Sequence, residues 1–130
     1  MSKDHDRLGF LVLALFAALG LVLEVLHGLR VTSYLSDSHA TRRLLFTLAH
    51  AHGVLLGLVN VAYAAVMRAY ALSDVRASML LKVATALVPG GFLLGGAVLM
   101  REDPNPLVLL SGVGGICLVL GCARVWRALR

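Results

Sequence analysis

The chain has 130 residues, of which 59% are hydrophobic and 15% charged, and its formal net charge is +5. A soluble domain is about half apolar and a quarter charged, so this composition belongs to the membrane class, and the length allows one domain. The twelve Lys and Arg lie at the ends of apolar runs rather than on one face, which excludes a nucleic-acid footprint.

Four apolar runs are predicted as helices, at about residues 8–29, 44–66, 79–100 and 107–123. Each approaches the roughly 20 residues needed to cross the hydrocarbon core. The fold class expected is therefore all-α, an integral membrane bundle of four transmembrane helices running up-down-up-down in a single domain. The first run is longer than the apolar region of a signal peptide and lacks a small-residue cleavage site, so it reads as a permanent helix. His5 precedes it in a charged segment that reads as solvated. Within it, Glu24 and His27 are three apart and share a face with Ala17, Gly20 and Gly28,.

The connection from Arg30 to Arg43 holds Tyr34, Asp37 and His39 beside three arginines. Arg30, Arg42 and Arg43 read either as anion or lipid-headgroup contacts over a site, or as arginines snorkelling from a solvated loop. The second run carries His50 and His52, about 200° apart around its axis. His50 shares a face with Gly53 and Gly57, with Asn60 about two turns deeper; His52 faces another helix. The third run contains Pro89-Gly90-Gly91, expected to bend it. Asp103-Pro104-Asn105-Pro106 marks a tight turn before the fourth. Cys117 and Cys122 lie about 140° apart on that last helix, too far around it to pair. Trp126, between Arg124 and Arg127, reads as an interfacial anchor.

Eight basic residues (Lys3, Arg7, Arg68, Arg76, Lys82, Arg124, Arg127, Arg130) fall on one side of the four spans. Four (Arg30, Arg42, Arg43, Arg101) fall on the other. The excess places both termini in the cytoplasm, across a bacterial-type plasma (inner) membrane. Small residues at three- and four-residue spacings allow close helix packing, within the chain, in a homo-oligomer or against partner membrane subunits.

Counting depth from the middle of each span brings Glu24 and His50 to one level, with a Glu24–His50 hydrogen bond as the expectation. An ionisable group at such depth costs a few kcal/mol unless paired or neutral. The cluster of Glu24, His27, His50 and His52 has several readings. It is a polar clasp; or a cofactor site, with one transition metal on Glu24, His27 and His50 or a haem on His50 or His52 with the arginines meeting its propionates; or the proton-active site of a carrier or membrane enzyme. The Ala51-His52-Gly53 step resembles the stretch around a low-spin haem ligand in the largest subunit of haem–copper oxidases, and that resemblance implies a haem. No phosphate loop, nucleophile elbow, HExxH pattern or zinc-finger spacing is present, so the sequence leaves enzyme activity open. The expected function is a small membrane protein with a Glu/His site near the outer face for a metal, haem or small ligand. The alternative is a non-catalytic accessory subunit of a larger membrane complex.

Overall fold

The computed structural model describes residues 1–98 and 105–130. Among these, all regular structure is helical: α1 (Ser2–Gly28), a short α2 (Thr32–Leu35), a 3-10 turn (Asp37–His39), α3 (Ala40–Ala69), α4 (Val75–Ala97), a second 3-10 turn (Pro106–Val108) and α5 (Leu109–Ala128). The four long helices, counting each 3-10 turn with the helix it leads into, are long and apolar enough to cross a membrane. The Asp103-Pro104 turn and Arg101 lie outside the described residues.

α1 begins six residues earlier than its apolar run. Nothing from Ser2 to Arg7 breaks a helix, and Asp4 suits the positive end of the helix dipole,. α3 likewise overruns its apolar core at both ends, and its 30 residues reach about 45 Å,. α4 continues through Pro89, whose missing N–H leaves the Thr85 carbonyl without its ladder donor. After α1 and α3 the chain turns through Arg30 and Ala71, both at φ 50. Each is followed by an amide donating back to the last turn, Val31 to the Leu26 carbonyl and Leu72 to the Met67 carbonyl, both 3.1 Å. This is the Schellman stop, made here without glycine.

Glycines set the helix pairs. Gly9 meets Gly57 and Val61, and Gly53 receives the Phe16 ring, so α1 and α3 run antiparallel. Gly96 receives Phe46 of α3, and Gly91 lies against the backbone of Leu110 and Ser111, so α3–α4 and α4–α5 are antiparallel too. A methyl at Gly91 would come within 2.5 Å of the Ser111 nitrogen, a backbone atom that cannot yield without moving α5. α3 and α4 hold the core around Tyr63, Met67, Ala77 and Leu81, bordered by Leu72 and by Leu118 and Val125 of α5. The outward faces of α1 and α5 stay apolar and exposed, with Phe10, Leu15, Leu21, Ile116 and Val119 among them.

Asp74 joins the start of α4 to the end of α5. Its Oδ1 accepts the Ala77 amide at 3.0 Å, and Oδ2 accepts Arg124 Nε at 3.0 Å. The Ala77 N–H foremost, and then the Arg124 guanidinium, hold its carboxyl below the usual value of 3.8. A carboxyl pKa lower in the folded than in the unfolded chain stabilises fully above the unfolded value, and that stability fades as pH falls through the folded one. Asp74→Ala is therefore expected to lower the melting temperature in detergent at pH 6, by the loss of a cap of about 1 kcal/mol. The gap to the unaltered protein should narrow as pH falls below 3.8,. A gap constant with pH would assign the loss to something other than the ionised carboxylate.

Candidate functional site

Where the end of α1 meets the start of α3, Glu24, His27, Thr47 and His50 line one cavity of about 240 Å³ together with Gly20 and Leu23. His50 gets there because Gly20 lacks a side chain: its ring lies where a Cβ would be. From that seat Nδ1 donates 2.7 Å to the Phe16 carbonyl, which already accepts within α1 and has a second lone pair. His27 Nδ1 donates to the Leu23 carbonyl at 3.0 Å. A carbonyl can only accept, so both imidazoles carry the proton on Nδ1, and when neutral both offer Nε2 as an acceptor. Thr47 spends its hydroxyl proton on the Arg43 carbonyl at 2.9 Å, leaving oxygen lone pairs. Glu24 has neither hydrogen bond nor ion pair among the described residues.

The Glu24–His50 hydrogen bond expected from depth is not formed. The α1–α3 register explains why: Phe16 opposes Gly53 and Gly20 opposes His50. Glu24, one turn beyond Gly20, is therefore level with Thr47 and not with His50. The error came from starting the first helix at residue 8. With α1 running from Ser2 to Gly28, its middle shifts by about one turn, and Glu24 lies roughly 13 Å from that middle along the axis. The metal trio is not supported either. Among the described residues no three His, Cys, Asp or Glu side chains are arranged to hold a metal.

His52 takes no part in the cavity. Its Nδ1 donates to the Leu48 carbonyl at 2.8 Å, and its ring lies 5.1 Å from Phe92 of α4. Gly53, the last residue of the Ala51-His52-Gly53 step that implied a haem, is packed against the Phe16 ring. Of the three arginines, Arg43 is committed to the loop, donating to the Tyr34 and Ser36 carbonyls at 2.9 and 2.6 Å. Arg30 supplies the left-handed turn after α1, and Arg42 is half-buried with no bonded partner among the described residues. The loop reaches the cavity through Tyr34, whose ring meets His27 edge-on at 5.0 Å.

A second polar cluster, at the opposite end, is one that sequence reasoning missed. His5 is fully buried. Its Nδ1 lies 2.6 Å from Asn60 Oδ1 and its Nε2 lies 2.7 Å from Ser78 Oγ. Asn60 donates from Nδ2 to the Leu56 carbonyl and to Thr85 Oγ1, and Thr85 donates to the Leu81 carbonyl. Flipping the Asn60 amide would set its oxygen against the Leu56 carbonyl, so the orientation is forced. His5 must then donate through Nδ1, and the Ser78 hydroxyl donates to Nε2. Every donor has one acceptor. Tyr63 closes the group, its ring 4.8 Å from that of His5. Asp6 and Arg68 pair beside it on the surface. Asn60, and the seven-residue spacing of Ser78 and Thr85, were signals in the sequence; they lacked a partner because His5 had been assigned to a solvated segment.

Neither family models nor curated proteins nor solved structures give a match to this chain.

Proposed function

We propose that the chain is an integral membrane protein of the plasma membrane, a bundle of four transmembrane helices running up-down-up-down with both termini cytoplasmic. Its cavity between α1 and α3, near the outer face, binds a small organic cation. The observation that carries this reading is the imbalance of the cavity. The cavity is lined by a carboxylate, two imidazoles whose Nε2 is an acceptor when neutral, and a hydroxyl whose proton is already used; with neutral imidazoles no side chain of the lining has a donor left to offer,. The inner cluster, by contrast, is matched atom for atom. A surplus of acceptors with one negative charge suits a ligand that is all donor, such as an ammonium group. The volume is below the range of about 300–1,000 Å³ for drug-sized ligands, which limits the ligand to a few heavy atoms. Tyr34, packed on His27, supplies a flap over the opening.

The test is a titration of the detergent-solubilised, 15N-histidine-labelled protein with ethylammonium. His27 and His50 Nε2 resonances should move while those of His52 stay. Glu24→Gln removes a hydrogen bond to a charged group, about 1.5–3 kcal/mol, so binding should weaken by roughly tenfold to a hundredfold. Unmoved histidine resonances, or unchanged affinity in Glu24→Gln, would discard the cation site. A Soret band or stoichiometric metal in the purified protein, lost on His50→Ala, would replace it with a cofactor site.

A further inference from the structure

At the end opposite the cation site, α3 and α5 straddle α4 and leave an outward-facing groove of about 310 Å³. Leu81 forms its base; Val59, Ala62 and Val66 form one wall and Val125 and Trp126 the other. The lining is almost entirely apolar. The last turns of α5 form a partition: Val125, Trp126 and Leu129 line the groove, while Arg124 and Ala128 line a second, polar depression that also holds Asp74 and Arg76. Arg76 is exposed and has no partner among the described residues. The Arg130 guanidinium lies 3.7 Å over the Trp126 ring, at the groove's edge. This end of the molecule carries eight basic side chains against the three acidic ones of Asp4, Asp6 and Asp74.

We infer that this groove holds one acyl chain of an anionic phospholipid, whose phosphate is met by Arg130 at the groove's edge. The inference rests on the membrane reading given above. An apolar depression facing lipid must be filled, and an acyl chain has the shape and chemistry for it. Basic clusters beside such a groove on the cytoplasmic side select anionic headgroups, and guanidinium binds phosphate oxygens in a fixed, two-pronged geometry. Arg124 contributes less, because Asp74 already holds it.

The experiment is native mass spectrometry of the full chain in detergent, offered equal amounts of dioleoyl phosphatidylglycerol and dioleoyl phosphatidylcholine. One phosphatidylglycerol should be retained in preference. Arg130→Gln should lower that preference about fivefold, the effect of one basic side chain at an anionic surface, while Arg76→Gln, beyond the α5 partition, should leave it unchanged,. Ala62→Phe, which fills the groove from an exposed position, should abolish retention of both lipids. Equal retention of the two lipids, indifference to Arg130→Gln, or a dimer that Ala62→Phe disrupts would each overturn the site. A chain released from membranes by alkaline carbonate would overturn the membrane reading itself, a separate result.

Discussion

Asn60→Leu is expected to destabilise the fold by about 3 kcal/mol. Leucine matches asparagine in shape, so the packing survives and the effect is polar. The change leaves the Nδ1–H of a fully buried His5 with no acceptor and removes the donor to Thr85. Orphaning one buried group costs roughly 1–3 kcal/mol, whereas replacing both partners by apolar groups of similar shape is nearly neutral. The double variant His5→Phe/Asn60→Leu should therefore recover most of the loss. Ser78 would not be stranded in it, because its hydroxyl can turn back to the Asp74 carbonyl one turn earlier on α4. The cycle should give a coupling of about 2 kcal/mol. Pairs of polar side chains within a bilayer average only about 0.6 kcal/mol, with a maximum near 1.7. A larger value is expected here because the cluster is sealed within protein, where neither lipid headgroup nor water relieves the orphan. Thermal unfolding in detergent, followed by circular dichroism, measures all four corners. Losses that simply add in the double variant would show that His5 and Asn60 do not act as a pair.

The number, order and approximate extent of the long helices were legible because each is one apolar run of spanning length, and a run of that kind has few alternatives. Their ends were not. Ser2–Arg7 and Ala40–Arg43 are polar yet contain no breaker, and hydropathy marks where a helix leaves the apolar phase, not where it stops. That single ambiguity shifted α1 by a turn and had two consequences. It set Glu24 opposite His50 when it lies level with Thr47, and it left His5 outside the helix altogether. Glu24, His27 and His50 were recognised as neighbours because three-residue spacing and a glycine face are robust to such a shift. Thr47 was overlooked because a hydroxyl in a helix is usually spent on its own backbone. That is true of Thr47 too, and it is what makes it an acceptor. The clasp expected between Glu24 and His50 is made instead by His50 on the Phe16 carbonyl, and a second one, built wholly from side chains, joins α1, α3 and α4 at His5.

Gly20→Ala joins packing to chemistry where α1 meets the start of α3. A methyl there would overlap the His50 ring, whereas one at Gly28, at the end of the same helix, meets nothing within 4 Å. The ring must leave the Phe16 carbonyl. Overpacking of this kind costs about 1–3 kcal/mol, so Gly20→Ala should unfold at a lower temperature, with Gly28→Ala as the silent control. Displacement also frees Nδ1 from the carbonyl that fixed its proton. His50 would then populate both tautomers, and the form protonated on Nε2 presents a donor to a cavity that suits only donors in its ligand. The 15N spectrum should show the His50 nitrogens averaging between protonated and bare positions while His52, held by the Leu48 carbonyl, is unchanged. Ethylammonium affinity should fall even where the variant remains folded. A folded Gly20→Ala protein with the original His50 tautomer and undiminished binding would show that the cavity owes nothing to the contact with α1, and the acceptor surplus from which the cation site is argued would lose its structural basis.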